Sequence, residues 1–161
     1  MIRIDIPATS ANLGSGFDSL GIALTMCNRV WMEEADELKI TTTDKIKVPT
    51  DETNLIYWAA RHLYQICGKT LPGLHIIQEN NIPMARGLGS SSACIVAGIL
   101  GANRMLGSPM SQSDLINLAA QIEGHPDNTS PAISGGLVAS AMEGKRVYSV
   151  SVPVSYTHLR A

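Results

Sequence analysis

The feature that most constrains this chain is a glycine- and serine-rich segment that runs directly into an apolar stretch, 93–106. Its residues are Pro83, Met84, Ala85, Arg86, Gly87, Leu88, Gly89, Ser90, Ser91 and Ser92. Glycines let backbone N–H groups converge without a Cβ in the way, and a helix that begins here adds unpaired N–H groups and the positive end of its dipole. A flexible linker would have no reason to lead into apolar residues. We therefore predict a phosphate-binding loop followed by a helix.

Composition narrows the partners of this loop. The 161 residues are 45% hydrophobic and 16% charged, which indicates one globular domain. A net charge of −2 and few aromatic residues give no case for binding nucleic acid or an anionic membrane. Three scattered cysteines are typical of a reducing compartment, and the first residues lack a signal-peptide pattern. We expect a cytoplasmic protein that binds neither nucleic acid nor membrane; a homodimer is compatible with this sequence.

Two further segments carry polar chemistry. Asn12 and Asp18 lie in a small-residue loop, 8–18, after a first predicted strand, 2–6. They either bind a ligand or hydrogen-bond their own turns, and the sequence leaves both readings open. The second segment concentrates two acids, an imidazole and an amide: Glu123, His125, Asp127 and Asn128. There Glu123 is a candidate Mg²⁺ ligand, and His125 and Asn128 are candidates to hold a polar substrate; a helix end with a polar turn is the alternative.

The periodicity of the remaining chain predicts a layer of strands and helices without regular alternation, which is an α+β fold. Strands are expected at 21–24, 28–33, 38–43, 74–79, 137–142 and 146–152, and helices at 54–67 and 111–123. The sequence lacks the motifs of the P-loop, the dinucleotide-binding turn and the protein kinases. A phosphate loop, a serine and carboxylate for Mg²⁺ and a polar acceptor loop favour a small-molecule kinase, since phosphoryl transfer needs mainly alignment and charge neutralisation.

The three segments together resemble the signature blocks of the GHMP kinases, and the likeness covers residues 1–154. Segments 7–18 and 123–128 are similar to the homoserine kinases of that family in particular. The resemblance implies a two-layer domain with a mixed or antiparallel sheet packed by helices and a left-handed βαβ crossover. It also implies ATP-dependent phosphorylation of L-homoserine to O-phospho-L-homoserine in threonine biosynthesis.

The resemblance assigns roles residue by residue. The backbone of 83–92 would wrap the phosphates of ATP, Ser91 and Glu123 would hold Mg²⁺, and Asn54 would lie at the adenine end. The homoserine pocket would be lined by Asn12, Asp18, His125 and Asn128. Asn128 stands where several other members have an aspartate that acts as a general base. The proton of the acceptor hydroxyl would then pass toward the γ-phosphate, and Asp127 is the alternative base.

The chain also departs from the family pattern. The resemblance implies a much longer protein that continues into a second α+β domain, and we expect this chain to lack that domain. Residues 155–161 do not continue the pattern, and we interpret them as foreign sequence after a truncated reading frame. We expect one domain, 1–154, that is nearly inactive alone. Two other readings stay open: a mevalonate- or sugar-type GHMP kinase, which would have no use for a carboxylate at Asp18, and a nucleotide-binding module without catalysis.

Overall fold

The chain folds into helices packed on a mixed sheet, as the predicted two-layer α+β class requires. The computed structural model describes residues 1–153, so the tail predicted at 155–161 lies outside the described residues. The strands are β1 (Ile2–Ala11), β2 (Leu20–Glu34), β3 (Lys39–Thr42), β4 (Leu74–Glu79), β5 (Leu137–Glu143) and β6 (Arg146–Val152). The helices are α1 (Leu55–Ile66), α2 (Ser90–Met105), α3 (Gln112–Glu123) and α4 (Thr129–Ser134).

The central strand of the sheet is β2. It pairs antiparallel with β1 along one edge, and along the other edge with β5 near its start and β4 near its end. The strand β3 adds parallel to β4, and β6 adds antiparallel to β5. The connection that follows β4 is hydrogen-bonded to β2. Here the Ile82 N–H donates to Asn28 Oδ1 at 2.8 Å, and Asn81 Nδ2 donates to the Cys27 carbonyl at 3.0 Å. The glycine-rich segment thus starts from an anchored point.

The core lies between the sheet and the helices. The helix α2 packs on β1 and β2, and α1 packs against α2. The buried faces of the strands supply Ile6, Val30, Met32 and Ile76, which meet the apolar stripe of the helices in one cluster. Burial of such side chains is worth about 1.5–3 kcal/mol each relative to exposure, so this cluster stabilises the layer that carries the phosphate loop.

Two strand predictions are wrong in their bounds. Segments 21–24 and 28–33 belong to one strand, β2, and the predicted gap is a bulge: Thr9 pairs with Ala23 and Pro7 with Cys27, so β2 has two more residues than β1 between these pairs. Residues 24–26 are exposed there, which breaks the alternating pattern without ending the strand. The strand β1 also continues past Pro7, because the missing N–H of proline is tolerated at a bulge.

The polar segment 123–128 is followed by a short helix that was not predicted from the sequence. The helix α4 begins at Thr129 and includes Pro131 in its first turn. Proline is tolerated there because first-turn N–H groups have no partner within the helix. The parallel pair β3 and β4 is joined through α1, which supplies the predicted βαβ unit; its hand stays a prediction. Within residues 1–153, no helix combines the length and apolarity needed to cross a bilayer.

Candidate active site

The glycine-rich segment leads into a helix, as predicted, but α2 begins at Ser90 and already includes the three serines of the segment. The cap residue Gly89 has a φ of 63°, and Gly87 and Ala85 have φ of 69° and 54°. No side chain caps this helix start within the described chain. The helix begins at Ser90, so the serines form its first turn. An uncapped first turn leaves N–H groups and the positive dipole end available to an anion, which is the chemistry that phosphate requires.

The phosphate loop lies directly against segment 123–128, which we call the acceptor segment because it carries candidate residues for holding a polar substrate. The Thr9 N–H donates to the Leu88 carbonyl at 3.2 Å, and Thr9 Oγ1 donates to Asn128 Oδ1 at 2.8 Å. A Cβ on Gly89 would lie 2.0 Å from Thr9 Oγ1 and 3.1 Å from Asn128 Oδ1. Only glycine allows this approach, so the loop packs directly against the predicted substrate residue Asn128. Thr9 was not among the predicted site residues, and nothing in its small-residue loop distinguished it from its neighbours.

The candidate Mg²⁺ ligands lie at the same helix start. The hydroxyl of Ser92, a buried residue, donates to Glu123 Oε1 at 2.9 Å. Exposed Ser91 and half-buried Glu123 both line a surface pocket, together with Trp58 and Ile95. A hydroxyl and a carboxylate are hard oxygen donors, and Mg²⁺ takes one or two protein ligands with phosphate oxygens and water. Residues 1–153 contain no cluster of three or more His, Cys, Asp or Glu suited to a metal, so the fit is to a cation shared with phosphate.

A cavity of about 290 Å³ adjoins the loop on its other side. Its wall is mostly apolar and includes Val48, Pro49, Leu55, Met84 and Cys94. A flat apolar ring such as adenine suits such a wall. Burial, with a smaller contribution from the charge of Glu123, raises the pKa of the Cys94 thiol to about 11, so this thiol is uncharged near neutral pH. Lys47 adds a cationic side chain to the same wall.

Asn54 lies on the same wall, where the resemblance places the adenine end of the nucleotide. Its polar atoms are already engaged in the fold. Asn54 Oδ1 accepts from the Ile56 and Tyr57 N–H groups at 3.0 and 3.4 Å, and Nδ2 donates to the Pro49 carbonyl at 2.9 Å. Asn54 therefore caps α1 and fixes the loop before it. Any contact with a base is an addition to this capping role.

The acceptor segment is held by its own side chains. Asp127 is fully buried, and its Oδ1 lies 2.5 Å from His125 Nδ1. Asn128 Nδ2 donates to the same Oδ1 at 3.4 Å. The segment packs tightly on β2, since a Cβ on Gly21 would lie 1.7 Å from the Asp127 carbonyl oxygen. His125 and Asn128 thus meet at one carboxylate, an arrangement that the sequence spacing suggested only as a cluster.

The loop after β1 carries the other two predicted substrate residues. Asn12 and Asp18 both have left-handed backbone, with φ of 56° and 51°. Asn12 Oδ1 accepts from the Asp18 N–H at 2.8 Å, so the turn-closing role left open by the sequence is real for Asn12. The Asp18 carboxylate is exposed and makes no hydrogen bond with residues 1–153. It is therefore free to receive a cation.

Fold and site together define an α+β domain in which an uncapped, glycine-rich helix start lies against a polar segment that carries two carboxyl groups, an imidazole and an amide. The chain belongs to the GHMP kinases, because the family's N-terminal domain matches residues 54–136. This match spans α1, the phosphate loop, α2, α3 and α4.

Similar curated proteins are homoserine kinases. The chain is 45% identical over 157 residues to the homoserine kinase of Clostridium botulinum strain 657, covering 96% of this chain and 52% of that protein. The homoserine kinase of Trichodesmium erythraeum is 49% identical over 150 residues, covering 89% and 49% respectively. The chain spans about half the length of the curated relatives it matches.

Solved structures agree on the fold. The crystal structure of homoserine kinase from Cytophaga hutchinsonii superposes with a TM-score of 0.82 at 31% identity, covering 96% of this chain and 52% of that one. The mevalonate kinase of Methanococcus jannaschii superposes with a TM-score of 0.71 at 16% identity, covering 94% and 56%. The second likeness concerns the fold alone.

Proposed function

We propose that this chain provides the nucleotide- and acceptor-binding part of a homoserine kinase, which transfers the γ-phosphoryl group of ATP to L-homoserine. The observation that carries the proposal is the junction at Gly89. There the phosphate loop lies against Thr9 and Asn128, so a phosphate on the helix start and an acceptor beside Asn128 would be neighbours. Relatives 45–49% identical over most of this chain are homoserine kinases, which supports the choice of acceptor.

The nucleotide occupies the first half of the cleft in this proposal. Adenine lies in the apolar cavity beside Asn54, and the backbone N–H groups of 87–92 receive the phosphates. Ser91 and Glu123 hold Mg²⁺, which neutralises charge on the phosphates when bound. Ser92 keeps the Glu123 carboxylate oriented. These groups align and stabilise the phosphoryl group, and phosphoryl transfer needs little else.

The acceptor occupies the second half. Homoserine carries an ammonium group, and the free carboxylate of Asp18 is a suitable charge-assisted partner. His125 and Asn128 hold the polar groups of the acceptor, and Asn12 shapes the loop that presents Asp18. Asn128 cannot act as a base, so the hydroxyl proton moves toward the transferring phosphoryl group.

The test is ATP-dependent phosphorylation of L-homoserine by the full-length protein, in which the second domain implied by the resemblance follows residues 1–153, with mevalonate and galactose in matched reactions. Residues 1–154 alone are expected to be nearly inactive. We expect phosphorylation of homoserine only. Asp18→Asn should raise KM for homoserine about tenfold or more, because a charge-assisted hydrogen bond is lost. Phosphorylation of mevalonate or galactose instead would assign a different GHMP kinase.

A nucleotide-binding module without catalysis is distinguished by equilibrium titration of the chain with ATP, with and without Mg²⁺. The kinase proposal expects Mg²⁺ to strengthen binding through Ser91 and Glu123, whereas Mg²⁺-independent binding would favour the module. Cytoplasmic location and a homodimer belong to the same proposal; size-exclusion chromatography with light scattering tests the dimer.

A further inference from the structure

A buried polar chain lies behind the acceptor segment. Asp127 Oδ1 is 2.5 Å from His125 Nδ1 and 3.4 Å from Asn128 Nδ2, while Asn128 Oδ1 accepts from Thr9 Oγ1 at 2.8 Å. One carboxylate oxygen thus contacts two of the side chains that the proposed function assigns to the homoserine pocket, His125 and Asn128. The mechanism above gives Asp127 itself no task.

Burial limits what Asp127 can do. Its side chain is 0% exposed, whereas the side chain of His125 is 40% exposed. Asp127 Oδ2 has no hydrogen-bond partner within the described chain. A carboxylate kept away from water is costly unless its surroundings compensate it. Since Asp127 is inaccessible and His125 is not, the carboxylate can influence an acceptor only through its neighbours.

We infer that Asp127 is a positioning residue that orients His125 and Asn128 toward the acceptor, an inference that rests on the proposed function. A carboxylate only accepts hydrogen bonds, so it holds the proton of His125 on Nδ1. In the neutral ring the lone pair is then on Nε2, the nitrogen that Asp127 does not contact. His125 Nε2 therefore acts as a hydrogen-bond acceptor, which selects a hydroxyl or ammonium group on the bound molecule.

Asn128 is oriented by the same chain. Its Oδ1 is taken by the Thr9 hydroxyl and its Nδ2 faces Asp127, so the two ends of the amide are distinguished. The backbone of Asp127 is fixed as well, because its carbonyl oxygen packs against Gly21 with no room for a Cβ. The carboxylate therefore has a rigid base from which to hold both neighbours.

Long-range ¹⁵N–¹H NMR of the imidazole rings tests the orientation without any substrate. In the neutral ring of wild-type His125 we expect the proton on Nδ1, and Asp127→Asn should shift the ring toward the Nε2–H tautomer because the charged acceptor is gone. A wild-type ring with its proton on Nε2 would overturn the inference. This measurement on the wild-type chain decides the matter even where the variant does not fold.

Kinetics of the protein that contains residues 1–153 give the second readout. Asp127→Asn should raise KM for homoserine about 10- to 100-fold, since misplacement of positioning groups has effects of this size, and should leave KM for ATP within about twofold. The matched control is Ser130→Ala, since Ser130 is also fully buried and its hydroxyl has no partner within residues 1–153. We expect the control to change neither KM.

Other outcomes are distinguishable. A fall in kcat with unchanged KM for homoserine would make Asp127 a base and overturn the positioning role. Equal effects of Asp127→Asn and Ser130→Ala would reduce it to packing and overturn it too. A wild-type protein that does not phosphorylate homoserine would defeat the proposed function, and the NMR tautomer would then judge the positioning role alone.

Discussion

The two halves of the proposed cleft are built from different parts of the chain. The phosphate half is made of backbone: positive φ angles at Ala85, Gly87 and Gly89 turn the chain into an uncapped helix start. The acceptor half is made of side chains that hold one another, with Asp127 at their centre. The difference teaches that the first half is sensitive to conformation and the second to chemical identity. The two meet where Gly89 touches Thr9 and Asn128.

The largest expected effect comes from a Cβ at that junction. Gly89→Ala should lower the free energy of unfolding by about 3 kcal/mol, because left-handed backbone strain adds to overpacking against Thr9. Gly87→Ala is the matched control, since Gly87 has similar φ and open space around its Cβ position; it should cost about 1 kcal/mol. Urea denaturation and ATP titration measure both variants. Equal losses in the two would mean that the halves do not touch as described.

The next effect tests a side chain that serves the backbone half. Ser92→Ala removes the buried hydroxyl that donates to Glu123 Oε1. The Mg²⁺-dependent gain in ATP affinity should fall about tenfold, because ligand orientation by such partners is worth this much. Affinity measured without Mg²⁺ should stay unchanged. Ser113→Ala, on the exposed face of α3, is the control, and a similar response from both would contradict an orienting role.

A comparison of two helix caps sharpens the assignment of Asn54. Asn54→Ala should reduce the free energy of unfolding by about 2 kcal/mol and Ser111→Ala, the capping-box residue of α3, by about 1 kcal/mol. Only Asn54 lies on the wall of the cavity beside the phosphate loop. ATP affinity should therefore weaken several-fold in Asn54→Ala alone. An unchanged affinity would confine Asn54 to capping and remove it from the nucleotide site.

The last prediction concerns the reactivity of one thiol in the cavity wall. Because burial raises the pKa of Cys94 to about 11 from 9.0, the reactive thiolate is scarce at pH 8. Alkylation by iodoacetamide should be about 100-fold slower than for a free thiol, and should accelerate as the pH approaches 11. Mass spectrometry of the Cys94 peptide follows the reaction, with glutathione as the reference. Labelling as fast as that of glutathione would show that the Cys94 thiol is accessible and that its pKa is not raised.

The sequence allowed the backbone half to be predicted well. Glycines and serines before an apolar run indicate a helix start, and α2 begins at Ser90 with Gly89 in the left-handed region. The apolar periodicity at 54–67 and 111–123 predicted two more helices, and both are present as α1 and α3. Local chemistry determines these features, so local sequence predicts them.

The acceptor half was predicted as residues but not as geometry. His125, Asp127 and Asn128 were identified as a cluster, yet the spacing could not show that Asp127 is buried or that Thr9, far away in sequence, bonds to Asn128. The bulge that keeps β2 continuous and the short helix α4 after Pro126 were missed for the same reason: tertiary packing decides them. Predicted roles for Asn12, Asp18, Ser91 and Glu123 stay predictions, to be tested as described.

The way β2 shares one edge between β4 and β5 has a wider consequence. Each neighbour occupies its own stretch of that edge, so a change of register in one need not disturb the other. The hairpin of β5 and β6 can therefore change its register on β2 while Asn28 still anchors the connection after β4. A strand edge divided in this way lets natural variation change one side of the sheet while the other side keeps its pairing.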